Sequence, residues 1–251
     1  MASQLATSVT GTGPRLALIH GFTQTSRTWG AFGAALARAH QLVLVDAPGH
    51  GGSSAIEADV PEGAAMIGEA VGRASYLGYS MGGRHALRLA VDRPDLVEQL
   101  VLLGASPGMS DAVERRARAE WDDETARRLE QIGLDAFLEE WLAQPLFASL
   151  PGDASQVNAR RANTVKGLAS SLRRAGTGHQ EPLWDRLASL TMPVLLVTGE
   201  DDVHFGAISK RMAEAIGANA TTHAIAGAGH AVHLERPDDT ARVVVDWLAD
   251  A

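Results

Sequence analysis

Three residues of this chain have the types, and stand in the order, that nucleophilic or base catalysis by serine requires: Ser80, Asp202 and His230. Ser80 is the centre of Gly78-Tyr79-Ser80-Met81-Gly82, preceded by the apolar run Ala74 to Leu77 and followed by the helix-compatible stretch Arg84 to Ala90. A G-x-S-x-G pentapeptide between a strand and a helix lifts the serine onto a sharp, strained turn, and the crowding there admits only small flanking residues. A serine hydroxyl becomes reactive when a histidine takes its proton and a carboxylate fixes that histidine's tautomer. Asp202 lies in Gly199-Glu200-Asp201-Asp202, past the apolar run Val194 to Thr198, and His230 closes Gly227-Ala228-Gly229-His230. Asp201 competes with Asp202, its ordinary alternative being a turn or helix cap. His233, three residues on, is the alternative base among nine histidines.

The elements that must position these residues are those of a mostly parallel sheet. Leu16 to Ile19, Leu42 to Val45, Ala74 to Leu77, Leu100 to Leu103 and Val194 to Val197 read as buried strands, each followed by a loop rich in Gly, Pro, Ser or Asp. A further strand is expected near Thr221 to Ile225 and a terminal helix from about Asp238 to Leu248. In open α/β sheets the chemistry lies at the carboxyl ends of the strands. Between Ser106 and Glu181 the strand signal gives way to amphipathic helical sequence, read as a cap inserted over the sheet. The expectation is an α/β-hydrolase fold, doubly wound, with residues 1–105 and 182–251 as core and 106–181 as helical cap. In that fold the loop NH after His20-Gly21 and the NH after the serine form an oxyanion hole, here those of Phe22 and Met81.

Composition narrows the function. The 251 residues fit one such domain, and 45% hydrophobic residues allow a sizeable core. A net charge of -8 opposes nucleic-acid binding. The absence of cysteine excludes thiolate chemistry and disulfides. With no apolar run near the roughly 20 residues of a membrane helix, and an N-terminus unlike a signal peptide, a soluble, cytoplasmic protein without a membrane partner is expected. Oligomeric state is not legible.

Beyond the triad, the chain resembles a specific family. His20-Gly21-Phe22, Trp29, Asp46 to Gly51, the elbow extended to Gly83-Arg84, Ser106-Pro107-Gly108, Trp141 with Gln144 to Phe147, and Arg161-Ala162-Asn163 together resemble the 2-succinyl-6-hydroxy-2,4-cyclohexadiene-1-carboxylate synthases of menaquinone biosynthesis. The Gly-Gly-Arg ending of the elbow and the segment from Trp141 to Phe147 are the discriminating parts. His204 and Met109 depart from the pattern, which often has Lys and Leu there, and Trp121 stands in an otherwise polar cap segment.

The resemblance implies a lyase that eliminates pyruvate from a small anionic substrate, with no metal or organic cofactor. Arg84, Arg118, Arg161, Tyr79, Trp141 and His20 are then the substrate-binding candidates. Arg84 stands four residues after Ser80, on the same helix face, where a cation opposes the helix dipole unless an anion compensates it. Guanidinium groups at Arg118 and Arg161 suit carboxylates. The same triad also serves a serine esterase or C–C bond hydrolase, which would form a covalent intermediate on Ser80. A noncatalytic ligand-binding protein on this fold is the more distant alternative.

Overall fold

The computed structural model describes residues 4–150, 152 and 154–250, with the side chains of 154 and 155 left aside. Its elements are β1 (Thr7–Thr10), β2 (Arg15–Ile19), α1 (Gly30–Leu36), β3 (Gln41–Val45), α2 (Val60–Val71), β4 (Ala74–Tyr79), α3 (Met81–Asp92) and β5 (Val97–Leu103). There follow α4 (Ala112–Ile132), α5 (Leu134–Leu142), α6 (Ala154–Arg160) and α7 (Val165–Ala175). The chain ends with β6 (Val194–Gly199), α8 (Val203–Ile216), β7 (Ala220–Ile225), α9 (Val232–Glu235) and α10 (Pro237–Asp250). The strands form one sheet in the order β1-β3-β2-β4-β5-β6-β7, parallel except for β1, which pairs antiparallel to β3 at one edge. All the strands and the terminal helix anticipated from sequence are present. The added β1 has no buried residue, so no hydrophobic pattern announced it.

Alternation along the strands divides the core between the two faces of the sheet. Ala17, Ile19, Val43 and Val45 face α2, α3 and α8 through Ile67, Leu87, Leu89 and Met212. Leu16, Leu18, Leu42 and Leu77 face α1, α9 and α10 through Phe32, Leu36, Val232 and Val244. Strands buried on both sides in this way read as continuous apolar runs, which is why they were recognisable.

The four helices α4 to α7 occupy the interval between β5 and β6 and have a cluster of their own: Ala126, Leu129, Phe137, Trp141, Phe147, Leu168 and Leu172, with Phe22 of the β2 loop packed against it. Asn163 ties this helical segment to the sheet's loops. Its Oδ1 accepts from Gly51 N at 2.9 Å, and its Nδ2 donates to Thr23 O at 2.7 Å and Arg160 O at 2.9 Å. Replacing Asn163 with leucine would strand one backbone donor and two carbonyl groups, so unfolding stability should fall by about 2 to 4 kcal/mol. Urea denaturation of Asn163→Leu checks this; an unchanged midpoint would mean that these bonds do not hold the segment down.

Candidate active site

The loops after β2, β4, β5, β6 and β7 converge on a cavity of about 550 Å³. At its base Ser80 has φ 50° and ψ -109°, a conformation that a residue with a side chain rarely adopts. The turn is fixed by close backbone approach: a Cβ at Gly82 would lie 2.0 Å from Ile19 O, and one at Gly78 would lie 2.5 Å from Gly82 O. Ser80 occupies the N-cap position of α3, where a serine oxygen ordinarily accepts from the helix's own N–H groups. Here it makes no capping bond and instead faces His230 Nε2 at 3.3 Å.

The histidine is held from the other side by Asp202, whose Oδ2 accepts from His230 Nδ1 at 2.8 Å. With Nδ1 carrying the proton, Nε2 is left as an acceptor toward Ser80. Asp202 is the N-cap of α8, and its Oδ1 also accepts from Phe205 N at 3.2 Å. One carboxylate therefore orients the base and caps a helix, while Asp201 is exposed. Glu235 accepts from Gly229 N at 2.6 Å and Ala231 N at 2.9 Å, bracketing His230; no motif pointed to it. Phe205 and Tyr79 enclose the imidazole, at 4.5 and 5.4 Å between ring centroids.

His233 is withdrawn from competition. It is buried against Trp29 and Tyr79, its Nε2 faces the Gln24 amide at 3.3 Å, and burial pulls its pKa down to about 3.

Phe22 and Met81 both line the cavity, and Met81 opens α3, so its N–H lies outside the helical ladder. Arg84, Arg118, Tyr79 and Trp141 also line it. Arg84 is buried, and its Nη1 donates to Gln180 Oε1 at 3.1 Å. Arg118 lies over the Trp121 ring at 4.6 Å and donates through Nε to Asp122 Oδ1 at 2.9 Å. Trp121 and His204, set apart as departures from the family pattern, line the same cavity.

Two expectations need correction. Arg161 points outward, paired with Asp135 at 2.7 Å and with Asn158, and has no place in the cavity wall. Its neighbour Arg160 has that place: only 2% exposed, it lines the cavity, donates to Thr23 Oγ1, and has no carboxylate partner among the described residues. Either arginine fitted the sequence.

His20, also expected at the substrate, does not line the cavity. It is fully buried, accepting from Ala47 N at 3.1 Å through Nε2 and donating through Nδ1 to Gly21 O at 2.8 Å. It fixes the loop that carries Phe22. Burial pushes its pKa down to about 4, so it is neutral.

A strained serine on a strand-to-helix turn, with histidine and aspartate brought in from the last two strand ends, defines a serine-triad α/β enzyme architecture. The alpha/beta hydrolase family model matches residues 16–243. A 2-succinyl-6-hydroxy-2,4-cyclohexadiene-1-carboxylate synthase of Enterobacter sp. (strain 638) is 34% identical over 94% of this chain and 92% of its own. That of Salmonella agona (strain SL483) is 33% identical over the same shares. The solved structure of MenH from S. aureus superposes with a TM-score of 0.88 at 29% identity, covering 97% of this chain and 98% of the other. An esterase from Exiguobacterium antarcticum, at 20% identity and TM-score 0.82, shares the fold alone. The chain belongs to the alpha/beta hydrolase family and, within it, to the 2-succinyl-6-hydroxy-2,4-cyclohexadiene-1-carboxylate synthases. No helix among the described residues is long and apolar enough to cross a membrane, and no group of three or more His, Cys, Asp or Glu among them is placed to hold a metal.

The neutral, buried histidines set the protein's acid tolerance. Burial lowers the pKa to about 4 for His20 and about 3 for His85 and His233, against an unfolded value of about 6.5. Between those limits the unfolded chain binds protons that the folded one does not, so stability falls as pH drops from about 6.5 toward 4. Urea midpoints across that interval should decline steeply; a flat profile down to pH 4.5 would mean that these rings protonate in place.

Proposed function

We propose that this chain is a carbon–oxygen lyase that eliminates pyruvate from 2-succinyl-5-enolpyruvyl-6-hydroxy-3-cyclohexene-1-carboxylate to give 2-succinyl-6-hydroxy-2,4-cyclohexadiene-1-carboxylate. The observation that carries this reading is the pairing of the Ser80-His230-Asp202 array with two buried arginines, Arg84 and Arg160, that line the same cavity and have no carboxylate partner among the described residues. A site for neutral esters has no need of such cations.

The substrate and product names fix the bonds. Passing from a 3-cyclohexene to a 2,4-diene requires a proton to leave C2 and the enolpyruvyl oxygen to leave C5 as the double bond shifts. C2 bears the succinyl ketone, so the electron pair released there spreads onto that oxygen. Ser80, on giving its proton to His230, takes the C2 proton; the N–H groups of Phe22 and Met81 receive the enolate oxygen. The departing enolpyruvate collects the proton from His230 and tautomerises to pyruvate. Asp202 keeps His230 in the required tautomer throughout. Arg84, Arg118 and Arg160 supply cations for the carboxylates, and Tyr79 and Trp141 supply aromatic walls. Residues 106–181, as a cap over a core of 1–105 and 182–251, contribute Arg118, Trp141 and Arg160.

Pyruvate release from that substrate tests the reading directly, with Ser80→Ala expected to lower kcat by about 1000-fold or more. Efficient aryl-ester hydrolysis without pyruvate release would replace it with a serine-esterase assignment.

The two adjacent arginines give a paired control. Arg160→Ala should raise KM for the anionic substrate by about 10 to 100-fold, whereas Arg161→Ala should leave the kinetics within about 2-fold. Equal losses in the two variants would place the substrate elsewhere.

A further inference from the structure

Arg84 is unusual in what it does not touch. It is buried on the first turns of α3, lines the cavity, and forms no ion pair among the described residues. The nearby carboxylate, Asp122, is committed elsewhere: it is fully buried and accepts from Arg118 Nε at 2.9 Å and Gly178 N at 2.9 Å. The partner that Arg84 does have is an uncharged one, Oε1 of Gln180 at 3.1 Å.

The orientation of that amide is dictated by chemistry. A guanidinium only donates, so the Gln180 oxygen must face Arg84 and the nitrogen must face away. Gln180 is itself 3% exposed, and its Nε2 is buried without a hydrogen-bond partner among the described residues, close against Gly108, where an added Cβ would lie 3.2 Å away. An unpaired buried amide donor costs stability. Glutamate at this position would remove that orphan donor and give Arg84 a counter-ion in nearly the same shape. A site arranged for stability alone would favour the acid.

We infer that Gln180 is a positioning and specificity residue: its neutral oxygen aims Arg84 at the cavity while leaving the arginine's charge uncompensated, so that a carboxylate of the incoming substrate becomes its counter-ion. This rests on the proposed anionic substrate. Gln180 sets affinity through Arg84 and takes no part in the proton transfers at Ser80. The sharp consequence concerns Gln180→Glu, which keeps or strengthens the bond to Arg84 and nevertheless removes the site's attraction for anions.

The test uses the parent enzyme and four variants, Gln180→Glu, Gln180→Leu, Arg84→Gln and the double variant that combines the last two. Steady-state pyruvate release, calorimetric binding of succinate as a simple dicarboxylate probe, and melting temperature are measured for each. Gln180→Glu should raise KM by about 100-fold or more and abolish succinate binding, with Tm unchanged or raised. Gln180→Leu should raise KM and weaken succinate by about 10-fold, with kcat within about 3-fold of the parent. Combining Gln180→Leu with Arg84→Gln should cost no more than Arg84→Gln alone, because the glutamine acts through the arginine.

Retention of KM and succinate affinity in Gln180→Glu or in Gln180→Leu overturns the assignment. So does a loss confined to kcat and Tm, or a parent enzyme that does not bind succinate. A parent that releases no pyruvate, but whose succinate affinity falls in both Gln180 variants, refutes the synthase reading and leaves the role of Gln180 standing.

Discussion

A Cβ at Gly82 would sit 2.0 Å from the carbonyl oxygen of Ile19, and this approach of the start of α3 to the end of β2 is the contact on which the site depends. Phe22, on the loop after β2, and Met81, at the start of α3, both line the cavity beside it. The same approach forces the turn between β4 and α3 to be so tight that Ser80 takes φ 50°. A conformation of that kind costs on the order of 1 to 3 kcal/mol and persists only where the surroundings leave no alternative. The surroundings here are β4 and β5, buried on both faces, with Ser80 N donating to Leu103 O at 2.9 Å. The strain has a chemical result: the hydroxyl is turned away from the helix N–H groups it would otherwise cap and toward His230.

Electrostatics complete what the turn begins. The chain carries a net charge of -8, yet the two buried acids at the cavity, Asp202 and Asp122, have internal partners. Asp202 serves His230 and Phe205, and Asp122 serves Arg118 and Gly178. Arg84 and Arg160 are left as buried cations bound to neutral oxygens, and burial lowers the pKa of each to about 10. Both remain protonated near neutrality. Desolvated cations of this sort cost free energy in the empty enzyme, and a polyanionic ligand offsets that cost on binding.

The parts that were legible in the sequence are those where one local pattern has one structural solution. Short continuous apolar runs closed by glycine and aspartate read as buried parallel strands, and a G-x-S-x-G between a strand and a helix reads as a nucleophile turn. What escaped was decided by tertiary context. Arg160 and Arg161 are adjacent and chemically identical, and only the way the chain packs at the end of α6 determines which of them is buried. His20 sits in the segment that builds the site, but a strand end can turn a side chain inward, and hydrogen bonds to Ala47 N and Gly21 O hold it there. β1 is an exposed four-residue edge strand without a hydrophobic face, recognisable only by its pairing with β3. Glu235 and Gln180 act through backbone N–H groups or through another side chain, and such roles leave no motif.

The division of labour between sheet and inserted helices follows from these same facts. The loops at the ends of the strands hold Ser80, Asp202 and His230. The helices of 112–175 bring Arg118, Trp141 and Arg160, and their grip on the sheet passes through discrete polar links such as Asn163 to Gly51 and Thr23. An identical serine, histidine and aspartate can attack a carbonyl carbon or remove a proton; which occurs depends on the atom that the opposite wall presents to Ser80. Arg84 stands at the join, grown from the elbow helix but aimed by Gln180, which follows α7. Substitutions at that seam should therefore alter substrate affinity while leaving the triad intact.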